Sequence, residues 1–178
     1  MKIRPAEVIF VITACWFVSI PASAQNPQDC SKLPNFSALK ATLTAVVKEG
    51  SGANSGLANQ EWAAVVNRDG LVCAIAFSGP NRAAQWPGSR VIAAVKASTA
   101  NAFSTSNFAL STGNLYAGAL PGGSLYSIVM PPNSAVISAG DPQSFGQQND
   151  PMVGKAPGGV IVFGGGLALY NEKGQLVG

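Results

Sequence analysis

The stretch "WAAVVNRDGLVCAIAFSG", Trp62 to Gly79, decides how the rest of the chain is read. Trp62 to Val66 has the small and β-branched character of a strand, and Asn67-Arg68-Asp69-Gly70 supplies an Asp-Gly turn. Leu71 to Phe77 runs back, with Leu71, Cys73, Ile75 and Phe77 sharing one face at period two. A hairpin here, with Cys73 as a core thiol, is the starting point. Upstream, Phe36, Leu39, Leu43, Val46 and Val47 recur at helical spacing, and Gly50 ends that helix before the flexible "SGANSG". Downstream, "SGPNRAAQWPG" is a loop. Ser89 then caps a second helix carrying Val91, Ile92, Val95, Thr99, Ala102 and Phe103 on its apolar side.

Farther along the chain the pattern weakens. A third short helix fits Ser111 to Leu120, interrupted by Gly113 and Gly118 and stopped by Pro121-Gly122-Gly123. Ser124 to Met130 reads equally as strand or helix, and Pro131-Pro132 ends it. Asn133 to Gly159 has little periodicity. Val160 to Phe163 then reads as a strand, Gly164 to Gly166 as a turn or bulge, and Leu167 to Tyr170 as another strand. "NEKG" turns the chain into Gln175 to Val177, echoing "NRDG" in the first hairpin. Strands at both ends with helices between predict an α+β fold, with one antiparallel sheet of about five strands and helices against it.

The N-terminus is read apart from this fold. Lys2 and Arg4, an apolar run from Val8 to Ile20, and Ala22-Ser23-Ala24 form a signal peptide over residues 1–24, cleaved after Ala24. Residues 25–35 are a leader, and residues 36–178 are the domain. The chain is therefore expected to be secreted or periplasmic, without a stable membrane span after cleavage. Net charge is +3 over the whole chain and falls by one when Lys2, Arg4 and Glu7 leave. No basic stripe accompanies it, so nucleic acid is not an expected partner. Charged residues make up only 11 %. So few charges leave little to hold subunits apart, and a homo-oligomer is expected. Export permits a disulfide, yet with Cys73 in the core Cys30 has no evident partner.

Histidine is absent. That removes Ser-His-Asp and Cys-His hydrolysis, the usual zinc sites and any histidine-ligated haem. The glycine run before "LALYNEKG" lacks the phosphate-loop spacing and leads into a strand, so turn glycines are the better account. Lys96, in "VIAAVKASTANAF", is either a surface lysine whose stem covers apolar neighbours or a cation set beside a pocket to meet a carboxylate. In the second reading the Thr99 hydroxyl lies nearby at i+3. Arg90 and Lys155 offer carboxylates similar partners. Tyr116, Tyr126, Met130 and Met152 are candidate walls for a flat apolar ligand, with core packing as their ordinary role.

Several of these segments resemble one known family. "AAVVNRDGLVCAIAFSG", the alanine-rich helix with Lys96-Ala97-Ser98-Thr99-Ala100, "PGG" at Pro121 to Gly123, and "PGGVIVFGGGLALYNEKGQLVG" are similar in order and spacing to the GlcG/HbpS-like haem-binding family, also called the haem-degrading domain family. "QWPGSR" and "NDPMVGK" look most like its exported branch. The resemblance implies a five-stranded antiparallel sheet with flanking helices, profilin-like or PAS-like, together with symmetric oligomers and haem binding in some members. Hydroxyl or water-mediated iron ligation occurs in that family, so the absence of histidine is compatible with it. Lys96 and Thr99 are carried over as motif matches, and Arg90 and Lys155 are added from charge and position. Family members usually continue after "GQLVG" with a further strand and a closing helix. The resemblance thus implies that this sequence lacks them, along with a cysteine that would partner Cys30. The expected function is binding of haem or a related tetrapyrrole, to sequester or sense it. The alternatives are a haem-degrading or other small-molecule enzyme, and a partner-binding module without a small ligand.

Overall fold

The computed structural model describes residues 30–48, 59–127 and 130–178. The expected signal peptide, residues 25–29 of the leader and the "SGANSG" loop lie outside the described residues. The hairpin is present as β1, Trp62–Val66, antiparallel to β2, Val72–Phe77. Asn67 forms its turn by accepting from the Asp69 and Leu71 amides at 3.0 and 2.9 Å, and Gly70 takes φ 77°. The later "NEKG" turn has the same geometry. Asn171 accepts from Lys173 and Gln175 at 3.0 and 2.9 Å, and Gly174 has φ 72°.

Helix α1, Phe36–Val47, starts where the Asn35 side chain accepts from the Ala38 amide at 3.0 Å. Helix α2, Ser89–Phe103, has Gly88 rather than Ser89 at its N-cap, without a side-chain cap bond. Helix α2 packs chiefly on β1, and α1 on β2. The core cluster joins Trp62, Val66, Val72, Ile75 and Phe77 to Ala94 of α2 and to Met152. Ala74 and Ala76 point the other way along β2 and are also buried. Both faces of this strand are therefore covered. Beyond α2 the described residues form short pieces: a 3-10 turn at Thr112–Leu115, α3 at Tyr116–Ala119, α4 at Ser134–Ile137 and a 3-10 turn at Pro142–Ser144.

Two expectations are corrected. The described sheet has two strands, not about five. Val160 to Phe163 pairs with no strand among the described residues. The Val160 amide donates to the Met130 carbonyl at 3.0 Å, the Ile161 amide to the Thr99 hydroxyl at 3.0 Å, and the Phe163 carbonyl accepts from the Thr112 hydroxyl at 2.9 Å. Positive φ at Gly158, Gly159 and Gly165 breaks the run on either side. Leu167 to Tyr170 contributes one isolated bridge, Tyr170 to Leu176, with the Leu169 amide donating to the Gly178 carbonyl at 2.7 Å. An α+β fold remains, on a smaller sheet.

The second correction concerns the cysteines. The β1–β2 register shifts between Val65 and Val66, which pair with Ala74 and Val72, so Cys73 is the extra residue of a bulge. Period two is broken there. Val72 takes the core position, and Cys73 forms a disulfide with Cys30 just ahead of α1, at a Cα–Cα distance of 5.5 Å. Among the described residues, no helix is long and apolar enough to cross a membrane.

Candidate functional site around Lys96

Helix α2 carries three of the four cation and hydroxyl candidates, and the fold treats them differently. Arg90 points inward and is 2 % exposed. Its Nε donates to Asp150 Oδ2 at 2.8 Å, its terminal nitrogens reach Asp150 Oδ1 and the Ile137 carbonyl, and its guanidinium lies 3.8 Å from the Phe145 ring centroid. Asp150 also accepts from the Gly146 and Met152 amides at 2.7 and 2.8 Å. This buried, fully bonded pair holds the 137–152 segment against α2. Thr99 is fully buried as well. Its hydroxyl donates to the Val95 carbonyl at 2.7 Å and accepts from the Ile161 amide. Lys155 is exposed, and its main chain joins the Val72 edge of β2 through the Val72 amide at 3.0 Å.

Lys96 is the exception. Half-buried, it has its ammonium 4.9 Å from the Phe163 ring centroid. Among the described residues the sole ion pair is Arg90–Asp150, so Lys96 meets no carboxylate there. Two adjoining cavities of about 400 and 570 Å³ meet at Lys96 and share Glu61, Ser89 and Ile92 with it. Such volumes suit small-molecule sites, about 300–1,000 Å³. The first cavity also takes in Gln85, Trp86 and Phe163. Trp86 is 82 % exposed, and Leu167, on the wall of the second, is 67 % exposed.

The glycine run shapes this cleft. At Gly165, φ is 117°, and a Cβ would stand 3.0 Å from the Lys96 ammonium. At Gly166 a Cβ would fall 2.4 Å from the Lys96 carbonyl, where no side chain fits. The Gly166 amide donates to the Thr112 hydroxyl at 2.9 Å and its carbonyl accepts from the Thr112 amide at 3.0 Å, clamping the loop over α2.

Of the sequence candidates, then, only Lys96 faces an open cleft. Tyr116, Tyr126 and Met130 are exposed elsewhere, and Met152 belongs to the core. Trp86 and Phe163 went unpredicted. A tryptophan held between a polar loop and Pro87-Gly88 has no helix or strand face on which to pack, and that was the available signal. Among the described residues, no three His, Cys, Asp or Glu side chains gather in a metal-binding group. Comparison of the chain with protein-family models, curated proteins and solved structures gives no match.

Proposed function

We propose that this protein binds a flat apolar molecule bearing carboxylates, with haem or a related tetrapyrrole as the ligand, and that it sequesters or senses that ligand. The observation that carries the reading is Lys96, a cation without a described carboxylate partner at the junction of two cavities, beside Phe163 and the exposed Trp86. A propionate would complete the Lys96 charge pair, while Phe163, Trp86, Ile92 and Leu167 offer apolar and aromatic contact to a ring. The residues present fit the carboxylates and the ring. With no histidine in the chain, recognition rests on those features, and iron-free protoporphyrin should bind within a few-fold of haem. The resemblance of the hairpin and of the Lys96 helix to the haem-binding family supports the same ligand. Low charge, together with exposed Tyr116, Leu120, Tyr126 and Met130, supports reading the chain as a homo-oligomer.

Haem titrated into the purified mature protein should give a saturable shift of its main absorbance band. Lys96→Ala should weaken binding about tenfold, the loss of one charge-assisted contact. Trp86→Ala should weaken it less. Sedimentation velocity on the same samples reads the oligomer directly. No shift with the parent protein, or an unchanged affinity in Lys96→Ala, would overturn the site.

A further inference from the structure

Lys96 is one of two charges that a ligand in the cleft would meet. Among the described residues lining the two cavities, the charged side chains are Lys96 and Glu61, and each borders both cavities. Glu61 stands one residue ahead of β1 and is fixed there through its backbone. Its amide donates to the Ser78 hydroxyl at 2.8 Å and its carbonyl accepts from the Ser78 amide at 3.0 Å, so the end of β2 sets where its side chain begins. Glu61 is exposed, and among the described residues no cation pairs with it. Gln85, on the wall of the first cavity, is 5 % exposed and has both ends of its amide engaged. Its Oε1 accepts from the Gly79 amide at 3.1 Å, and its Nε2 donates to the Asn81 carbonyl at 2.7 Å. Beside the aromatic Trp86 and Phe163, the first cavity therefore presents one cation, one anion and a neutral wall whose own hydrogen bonds are already made.

A cleft carrying both signs discriminates among acids. A ligand carboxylate brought beside Glu61 meets like charge, whereas a hydrogen-bond donor placed there gains a charge-assisted bond. We infer that Glu61 determines specificity: the cleft takes a tetrapyrrole that gives Lys96 one carboxylate and turns an uncharged hydrogen-bond donor, such as a carboxamide, towards Glu61. A tetrapyrrole with two carboxylates binds less tightly, because its second carboxylate faces Glu61 or is turned out into water. Repulsion of the wrong group contributes to the choice as well as attraction of the right one. The exposure of Glu61 sets the size of the effect. Exposed charges interact weakly, so the preference is about fivefold, smaller than the loss expected on removing the half-buried Lys96 cation. This inference rests on the tetrapyrrole reading and names which members of that ligand class the site prefers.

Three iron-free probes separate the contributions: mesoporphyrin as its free diacid, as the monoamide with one propionate converted to a carboxamide, and as the bisamide. Each is titrated by absorbance into the purified protein, into Glu61→Gln and into Lys96→Ala. The parent should bind the monoamide about fivefold more tightly than the diacid, and the bisamide most weakly, since nothing then meets Lys96. Glu61→Gln keeps an acceptor for the carboxamide and removes the repulsion. The diacid should therefore gain about fivefold in that variant while the monoamide stays as it was. Lys96→Ala should weaken diacid and monoamide alike. Because the comparison is a ratio of probes within each variant, a folding defect that weakens all three equally does not imitate it. Equal affinity of the parent for diacid and monoamide overturns the inference and leaves the tetrapyrrole site standing. So does an equal gain of both in Glu61→Gln, which would make Glu61 a counter-ion of Lys96 and nothing more. Absence of binding of any of the three to the parent removes the tetrapyrrole reading and this inference with it.

Discussion

Arg90 and Lys96 lie on one helix less than two turns apart, and they show how little charge type alone says about role. Arg90 is enclosed by Asp150, whose carboxylate accepts from the guanidinium and from two backbone amides. Among the described residues Lys96 meets a ring face and open cleft. In sequence both are cations on an alanine-rich helix. The partner that distinguishes them is 60 residues away, with no local pattern to announce it. Asp150→Ala would leave a buried guanidinium uncompensated and two amides orphaned, so it should destabilise the protein by about 3–5 kcal/mol. Replacing both partners by apolar residues, Arg90→Met with Asp150→Leu, should cost less than Asp150→Ala alone. Urea denaturation of the single and double variants measures the difference. A double variant as damaged as the single would mean that the pair's amide contacts, not its buried charge, dominate.

At the scale of elements, local pattern places four of them but not the face that Cys73 presents. α1, β1, β2 and α2 each carry their own periodicity within the segment, and Asn67 and Gly70 fix the turn between the strands. Val160 to Phe163 shows why the remainder could not be read. An apolar run reports that side chains are buried, but not what the backbone bonds, and here its partners are Met130 and two threonine hydroxyls. The disulfide was hidden for a similar reason. One bulge changes which face Cys73 presents, and a bulge leaves no mark in composition. Its consequence falls on α1, where Val47 is the sole fully buried residue. With so little of its own surface enclosed, α1 depends on the bond at Cys30, together with Leu33 and the Lys40 ammonium held against the Phe77 ring and carbonyl. Burial lowers the Lys40 pKa from the ordinary lysine value. Cys30→Ser with Cys73→Ser should lower stability by about 2–4 kcal/mol, as loss of a long closed loop does. Thermal unfolding of the oxidised, reduced and doubly substituted proteins checks this effect, and an unchanged midpoint on reduction would contradict it.

For the whole molecule, these features divide the chain into a tight centre and a tethered periphery. The hairpin, α2 and Met152 share one buried cluster, against which Val136, Ile137 and Phe145 also pack, and the rest of the described residues from 104 on join the hairpin and α2 chiefly through Thr99 to Ile161, Asp150 to Arg90, and Val72 to the 153–155 segment. Stability should be distributed accordingly, since segments with few buried contacts open at lower free energy than the core. Amide hydrogen exchange should be slowest from Ala74 to Phe77 and from Ala94 to Ala100, and fastest in the exposed "NEKG" turn. The proposed ligand cleft spans this division, with Lys96 on the tight side and Phe163 and Leu167 on the tethered side. A bound tetrapyrrole would therefore stitch the periphery to α2. Haem should slow exchange over residues 163–167 and around Trp86, while residues 116–126 stay as they were. Uniform protection across the chain would refute the division itself. Protection by haem confined to 116–126 would move the ligand site to the exposed Tyr116 and Tyr126 surface and away from Lys96.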